Sequence, residues 1–182
     1  MTDYIVTYTK KKVNPFKPVA EDIVIEDIAH SLSLMTRANG HIDHFYSVAQ
    51  HAINCYNEAK IRDYSEKIQL GCLLHDASES YVSDLTRPVK AQLPAYIAVE
   101  EKLQSLIYKK FGLGDLTLDE KLRIRNVDDL LLHYELTELK GMSTVNAPPV
   151  KYMDHDFSLR DFIEVELEFI NTFNRLIRVK RG

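Results

Sequence analysis

The sequence predicts an all-α protein, a single helical bundle of five to six or more helices with a short N-terminal strand or extended arm. Apolar residues recur at helical spacing in one segment after another beyond residue 25. The prolines cluster between these segments, where joints of the chain are expected. The chain has 182 residues, of which 45% are hydrophobic and 27% are charged, an ordinary composition for one globular unit. We therefore expect a single domain over residues 1–182.

The first half of the chain predicts the arm and three helices. Residues 4–9 are β-branched and aromatic, which favours a short strand. Residues 27–35 carry apolar side chains at helical spacing, and Gly40 follows as a typical stop. Residues 47–60, and residues 65 to about 82, each present one apolar stripe. These two helices are therefore expected to face the core.

The second half of the chain predicts three more helices. Residues 95–111 alternate apolar and charged side chains at helical spacing and end before two glycines. Residues 118–140 continue the same pattern up to Gly141, where a helix is expected to end. Residues 159 to about 177 close the chain with a dense apolar stripe. Amphipathic helices of this kind bury their apolar faces by packing as a bundle.

Charge and cysteine content exclude several classes of partner and compartment. The net charge is −4 and the basic residues are scattered, whereas binding of duplex nucleic acid needs a concentrated basic face. Cys55 and Cys72 form no Cys-x-x-Cys pair, so neither a thiolate metal site nor a disulfide framework is predicted, and the cytoplasm is the expected compartment. No stretch reaches the ~20 apolar residues that span a bilayer, so no membrane location is expected.

A cluster of ionisable residues carries the predicted chemistry. His75 and Asp76 are adjacent at the polar edge of an apolar helix, and Glu79 follows one turn later. Burying such a cluster beside leucines is costly unless a cation compensates the carboxylates. The stripe of the preceding helix places His51 towards the core, and Asp128 is embedded in an apolar helix where an acid needs a partner. These residues together indicate a metal site.

This order of residues resembles the metal site of HD-domain phosphohydrolases: a histidine on one helix, a His-Asp pair on the next and a later aspartate. The stretch HDASESYVSDLTRPVK, residues 75–90, is similar almost residue for residue to the bacterial 5′-deoxynucleotidase branch. Residues 25–33 and 45–51 resemble small HD phosphohydrolases often carried by phages. The resemblance covers approximately residues 4–140, and the segment from Gly141 onward is less distinctive.

The resemblance implies that His51, His75, Asp76 and Asp128 hold one divalent transition metal. A mixed nitrogen and oxygen set suits Mn²⁺, Fe²⁺, Co²⁺, Ni²⁺ or Zn²⁺. Asp129 is the rival to Asp128 as the last ligand. Asp128 is preferred because two glutamates further along the helix, Glu135 and Glu138, then fall at the offsets that the family pattern expects.

The resemblance also implies roles for residues around the metal. Glu79 and Asp84 are expected to handle water and the leaving group as the catalytic acids. Arg37 matches an arginine that contacts substrate in the deoxynucleotidase branch, but Ala38 stands where that branch has a tryptophan. Lys90 is the second candidate for binding the phosphate, and the alternative for it is a solvated surface lysine.

The function implied is a metal-dependent nucleotide phosphohydrolase, specifically a 5′-nucleotidase that releases phosphate from deoxyribonucleoside monophosphates. One alternative is a dNTP triphosphohydrolase that releases triphosphate, and another is a non-catalytic module that senses nucleotides. Relatives of this kind also imply a homo-oligomer, a dimer or larger. Far from the predicted site, His155 lies between two aspartates and is expected to be solvated.

Overall fold

The computed structural model describes residues 3–142 and 147–179, and it confirms the all-α class. The helices in this part of the chain are α1 (Ile25–Leu34), α2 (Val48–Ile61), α3 (Glu66–Leu74), α4 (Glu79–Val82), α5 (Arg87–Lys90), α6 (Pro94–Lys110), α7 (Leu118–Lys140) and α8 (Phe162–Val179). Short 3₁₀ turns lie at Ala20–Asp22 and Arg37–Gly40. Within the described ranges, no helix combines the length and the apolarity that crossing a membrane requires.

The N-terminal arm is a two-stranded hairpin. Strand β1 (Ile5–Val6) pairs antiparallel with strand β2 (Lys12–Val13). The short strand expected within residues 4–9 is present and covers Ile5–Val6. The chain turns within this range, because Thr7 donates its backbone N–H to the carbonyl of Lys11 at 2.9 Å and accepts one from Lys10 at 3.0 Å.

One predicted helix is interrupted. The sequence pattern runs from residue 65 to about residue 82, but α3 ends at Leu74 and α4 begins at Glu79. In the interval, Ala77 donates its N–H to the carbonyl of Leu74 at 3.1 Å, and Glu79 donates to the carbonyl of Asp76 at 3.0 Å. These i→i+3 bonds tighten the backbone and replace the i→i+4 pattern of an α-helix. The interruption carries His75 and Asp76.

Helix α2 forms the centre of the bundle. It begins where the side chain of Ser47 accepts a hydrogen bond from the N–H of Gln50, at 3.1 Å, as an N-cap. It packs against α1, α3, α7 and α8, and almost every residue of its first three turns is buried. His51, in its first turn, is therefore fully enclosed.

Helices α3 and α7 approach closely beside α2. A Cβ placed on Gly71 would lie 2.3 Å from Cδ1 of Ile124, so an alanine at this position requires the Ile124 side chain to shift. Thr117 and Glu120 start α7 with a capping box, and Gly141 ends it in the left-handed conformation at φ 62°. His75 lies four residues after Gly71, and Asp128 lies four residues after Ile124. The close approach of the two helices at Gly71 and Ile124 therefore also brings His75 and Asp128 near each other.

We predict that Gly71→Ala destabilises the fold by about 1–2 kcal/mol. Alanine gains up to ~1 kcal/mol of helix propensity, but overpacking a core costs about 1–3 kcal/mol. Urea unfolding of the variant measures the difference. In an Ile124→Val background, which lacks Cδ1, the same substitution is expected to be neutral or stabilising. Equal costs of Gly71→Ala in the two backgrounds would show that the α3–α7 contact is not the cause.

The segment before α8 lies along α2 and is held there by polar side chains at four-residue spacing. These side chains are Gln50, Asn54, Glu58 and Arg62. The expectation that His155 is solvated is wrong: its side chain is fully buried, and Nε2 lies 2.9 Å from Oε2 of Glu58. The sequence shows the aspartates on either side of His155. It does not show that the buried carboxylate of Glu58 on α2 pairs with the imidazole inside the protein.

Candidate metal centre

Four side chains from three parts of the bundle meet in one cluster. Nε2 of His51 lies 3.1 Å from Nε2 of His75 and 3.2 Å from Oδ1 of Asp128. Nε2 of His75 lies 3.2 Å from Oδ2 of Asp76 and 3.6 Å from Oδ1 of Asp128. For a tetrahedral ion with bonds of ~2.1 Å, the ligand atoms would be about 3.4 Å apart. The side chains predicted as ligands thus lie at separations that fit one small cation.

The hydrogen bonds made by Nδ1 of each histidine leave the two Nε2 atoms facing each other. Nδ1 of His75 lies 2.8 Å from the carbonyl oxygen of Cys72, which only accepts hydrogen bonds, so Nδ1 carries the proton. Nδ1 of His51 bonds Oε1 of Glu135 in the same way. Because each Nδ1 is bonded elsewhere, the two Nε2 atoms are left facing each other, 3.1 Å apart. A metal ligand held through its other nitrogen by a carbonyl or carboxylate has this arrangement.

The electrostatics of the cluster favour a bound cation. Burial by itself lowers the pKa of His75, yet Asp76 and Asp128 raise it well above its ordinary value. Burial and Arg37 lower the pKa of His51, but Glu135 and Asp128 outweigh them and raise it. Burial acts to raise the pKa of Asp128, yet the two histidines hold it below its usual range. The carboxylates therefore remain ionised, and their negative charges favour a cation in the space between the two imidazoles.

Asp128, and not Asp129, faces this cluster. Oδ1 of Asp128 contacts both imidazoles, whereas Asp129 pairs with Arg87 at 2.6 Å and with Arg125 at 3.7 Å. The Asp129 side chain is 42% exposed, against 23% for Asp128. Adjacent helix positions point in different directions, so only one of the two acids reaches the cluster.

A thiol lies beside the histidines. Sγ of Cys55 lies 3.5 Å from Nε2 of His51, one helical turn before it on α2, and the ligand atoms of Cys55, His51 and His75 lie within 4.8 Å of one another. The structure therefore contains a cluster of metal-ligating side chains that includes a sulfur, which the sequence analysis did not predict. Burial and the charge of Asp128 raise the pKa of the Cys55 thiol well above its ordinary value.

The two predicted catalytic acids lie at the edge of the cluster. Glu79 is almost fully buried, and its Oε2 has no hydrogen-bond partner among the residues that the structure describes. Burial, followed by the charges of Asp76 and Asp84, raises the pKa of Glu79 well above its ordinary value. Burial also raises the pKa of Asp84. Carboxyl groups whose pKa is raised by burial beside other acids are typical of sites that transfer protons.

The two predicted phosphate-binding cations lie on opposite sides of these acids. The Arg37 guanidinium is 3.2 Å from Oε2 of Glu135 and 3.4 Å from Oδ2 of Asp76, and its side chain is 13% exposed. Nζ of Lys90 lies 2.7 Å from Oε1 of Glu100 and 3.7 Å from Oε1 of Glu79. Both cations thus lie within the acidic site, and Lys90 is not a freely solvated surface lysine.

Two connected depressions open onto the cluster. One, of about 390 Å³, is lined by His75, Asp76 and Lys90 together with residues of α6. The other, of about 170 Å³, is lined by His75, by Asp128 and by two basic side chains of α7, Lys121 and Arg125, of which Lys121 also lines the first. His75 lines both, and we call them the cleft. A larger cavity of about 440 Å³ elsewhere contains none of the clustered ligands, so the cleft is the candidate site.

The sequence analysis assigned no role in the site to three residues that the structure places there. Glu135 bonds both His51 and Arg37, and its position seven residues after Asp128, on the same face of α7, was an available signal. Cys55 follows His51 by four residues, which is also a same-face spacing. Nη2 of Arg87 lies 3.3 Å from Oδ2 of Asp128, and no helical spacing connects this pair.

Comparison with known proteins places the chain in a family of bacterial proteins. No protein-family model matches the sequence. The uncharacterized protein YfdR of Escherichia coli is 42% identical over 110 residues, which is 60% of this chain and only 59% of that protein. The uncharacterized protein RCAP_rcc00048 of Rhodobacter capsulatus is 33% identical over 94% of each chain. The chain therefore belongs to the same family as RCAP_rcc00048.

Proposed function

We propose that this protein is a metal-dependent phosphohydrolase of the HD type that acts on nucleotides, as a 5′-nucleotidase on deoxyribonucleoside monophosphates. The observation that carries the proposal is the pair of Nε2 atoms, 3.1 Å apart, that face each other beside two carboxylates at the mouth of a cleft. A divalent cation at this point would be bonded by both ring nitrogens, and its charge would be compensated by both carboxylates. Placement beside open space supports a catalytic role over a closed structural site.

The proposed ligands are His51, His75, Asp76 and Asp128, and the ion is Mn²⁺, Fe²⁺, Co²⁺, Ni²⁺ or Zn²⁺. Two neutral imidazoles and two carboxylates neutralise a divalent charge. A thiolate from Cys55 would add a negative charge near Asp128 and Glu135, and the raised pKa of the Cys55 thiol opposes its deprotonation. We therefore treat Cys55 as a neutral neighbour of the ion.

Glu79 is the proposed acid–base group. When bound, a divalent ion of this class activates water and neutralises charge on a phosphoryl oxygen. The uncompensated Oε2 of Glu79 is in place to accept a hydrogen bond or a proton from that water, because no other described group satisfies it. Asp84, 4.0 Å from the Arg37 guanidinium, lies on the same side and is proposed to protonate the leaving oxygen.

The phosphate is proposed to lie between Arg37 and Lys90. Arg37 already orients Asp76 and Glu135, and the five N–H donors of a guanidinium permit further bonds to a phosphate. Burial alone would lower the pKa of Lys90, but Glu100 and Glu79 raise it above the ordinary value. Lys90 therefore carries a positive charge. A dianionic phosphate would thus meet two cations opposite the acids.

A second candidate function is hydrolysis of dNTPs with release of triphosphate. The observation that favours it is the basic rim of the cleft: Lys121 and Arg125 line the smaller depression, and the Arg87 side chain is 61% exposed beside Asp128. Three cations beyond Arg37 and Lys90 would suit a longer chain of phosphates. A monophosphate needs fewer.

The deciding experiment incubates the purified protein with dAMP, dCMP, dATP and dGTP in the presence of Mn²⁺ or Co²⁺, and identifies the products by ion chromatography. Orthophosphate from the monophosphates is expected. Release of triphosphate alone would replace the first proposal by the second. If no nucleotide is turned over while nucleotides still bind to the metal-loaded protein, the protein is a sensing module. The Asp76→Ala variant, purified in the same way, is the control for contaminating phosphatase.

The proposed setting is the cytoplasm, and the proposed partners are a nucleotide and further copies of this chain. Two apolar side chains of α8, Ile163 and Leu167, are four residues apart and more than half exposed. Exposed apolar side chains on one helix face are the kind of surface that self-association covers. The two buried cysteines are not joined by a disulfide, which suits a reducing compartment.

A further inference from the structure

A side chain of α6 replaces a missing backbone hydrogen bond at the interruption between α3 and α4. In a continuous helix, Ser78 would donate its N–H to the carbonyl of Leu74. Instead, Ser78 donates to Oε1 of Gln104 at 3.0 Å, and Nε2 of Gln104 donates to the carbonyl of Leu74 at 2.7 Å. The carboxamide of Gln104 is thus inserted between the donor and the acceptor that would otherwise close the helical turn.

The inserted carboxamide affects the conformation of the residues between Leu74 and Ser78. His75 and Asp76 occupy the turn that Leu74 and Ser78 enclose, and they place Nε2 and Oδ2 3.2 Å apart. Neighbouring residues of a regular α-helix diverge by about 100° around the axis and do not face each other. A 3₁₀ turn separates neighbours by more, about 120°, so the approach of these two side chains depends on the particular conformation that this turn holds.

Only a carboxamide satisfies both groups at this position. Ser78 is buried, so leaving its N–H without a partner would be costly, whereas the carbonyl of Leu74 also accepts a hydrogen bond from Ala77 at 3.1 Å. Glutamine offers one acceptor and one donor, as a peptide group does. Glutamate lacks the donor and would place an oxygen against the carbonyl of Leu74, and an apolar side chain offers neither contact.

We propose that Gln104 is a positioning residue for the metal centre: it holds the helix open between Leu74 and Ser78, so that His75 and Asp76 converge on the same ion. This proposal rests on the proposed function for the presence of the ion, but not on the substrate. Without the carboxamide, the bond from Ser78 to Leu74 is free to form, and closing the turn changes the directions in which His75 and Asp76 point. The first consequence is weaker and differently shaped metal coordination.

The test uses Co²⁺ as the probe, because the intensity and position of its visible absorption bands depend on coordination geometry. The full chain is stripped of metal and titrated with Co²⁺ for the wild type, Gln104→Met and Gln104→Glu. Ser105→Ala, the next residue on α6 and also in the cleft wall, is the matched control. Both Gln104 variants are expected to bind Co²⁺ about 10–100-fold more weakly, the usual effect of losing a group that orients a ligand, and with altered spectra. The Ser105→Ala variant is expected to match the wild type.

The outcomes separate this proposal from the proposed function. A Gln104 variant that is folded by circular dichroism and keeps the wild-type Co²⁺ spectrum, with affinity within about twofold, overturns the positioning role. The isosteric Gln104→Glu variant provides the comparison if Gln104→Met does not fold. Weaker Co²⁺ binding by the variants supports the role even if the wild type hydrolyses no nucleotide, which would contradict only the proposed function. A wild type that binds no Co²⁺ contradicts both.

Discussion

The Asp128→Asn variant is expected to bind Mn²⁺ or Co²⁺ more than about 100-fold more weakly than the wild type, and to release no measurable phosphate from any nucleotide. Loss of a group outside the coordination sphere typically costs 10–100-fold in affinity, and loss of a ligand costs more. An amide of the same size also removes one of the two charges that neutralise the ion. Metal binding is measured by calorimetry and turnover by phosphate release.

The adjacent aspartate is a closely matched control. Asp129→Asn changes the same chemical group one position along α7, but it removes only ion pairs with Arg87 and Arg125. Exposed ion pairs of this kind contribute little, so metal affinity and turnover are expected to stay near those of the wild type. If the two variants lost metal binding equally, or if only Asp129→Asn lost it, the assignment of Asp128 as the last ligand would be wrong.

The Glu79→Gln variant is expected to lose about 10²–10⁴-fold in kcat while keeping its affinity for metal and substrate. Glutamine fills the same space and can still form hydrogen bonds, but it cannot take up the proton that hydrolysis releases. The buried, unsatisfied Oε2 of Glu79 makes this position the clearest candidate for that role. Steady-state kinetics on the best nucleotide, with Co²⁺ affinity measured in parallel, separate proton transfer from metal binding.

Glu101→Gln is the control for this effect. Glu101 lies in the wall of the same cleft, is exposed and makes no contact with the clustered ligands that the structure describes. Its replacement changes the charge of the cleft by the same amount and is expected to alter kcat by less than about threefold, as for an exposed group away from the reacting atoms. A Glu79→Gln protein with wild-type kcat would show that another group handles the proton.

The helices were predictable where local sequence pattern and tertiary packing agree. The prediction for α7 matches the structure at both ends, because a capping box begins it and a left-handed glycine ends it. The interruption at residues 75–78 was not predictable in this way. The apolar stripe continues through it, and the group that stabilises the interruption, Gln104, is 26 residues from Ser78 along the chain.

The candidate site, like the helices, could be predicted only in part from the sequence. Adjacent acidic and imidazole groups in an apolar context show where unpaired charge must be compensated, and family resemblance connects His51 and Asp128 to the His75–Asp76 pair. Sequence patterns do not show which atoms compensate each other. The bond from Glu135 to His51 joins residues 84 positions apart, and the Arg37–Glu135 pair joins residues 98 positions apart.

The sequence by itself determined the helical class, the approximate extent of the long helices and the identity of the ionisable residues that gather at one site. Hydrophobic periodicity and capping act over a few residues, so a linear pattern contains them. The tertiary structure decided that Asp128 and not Asp129 contacts the histidines, that Glu135 bonds His51, and that Gln104 bonds both Leu74 and Ser78 across the turn that carries His75 and Asp76. These outcomes depend on the rotation and spacing of helices packed against one another, which are set by the whole core and not by any one segment.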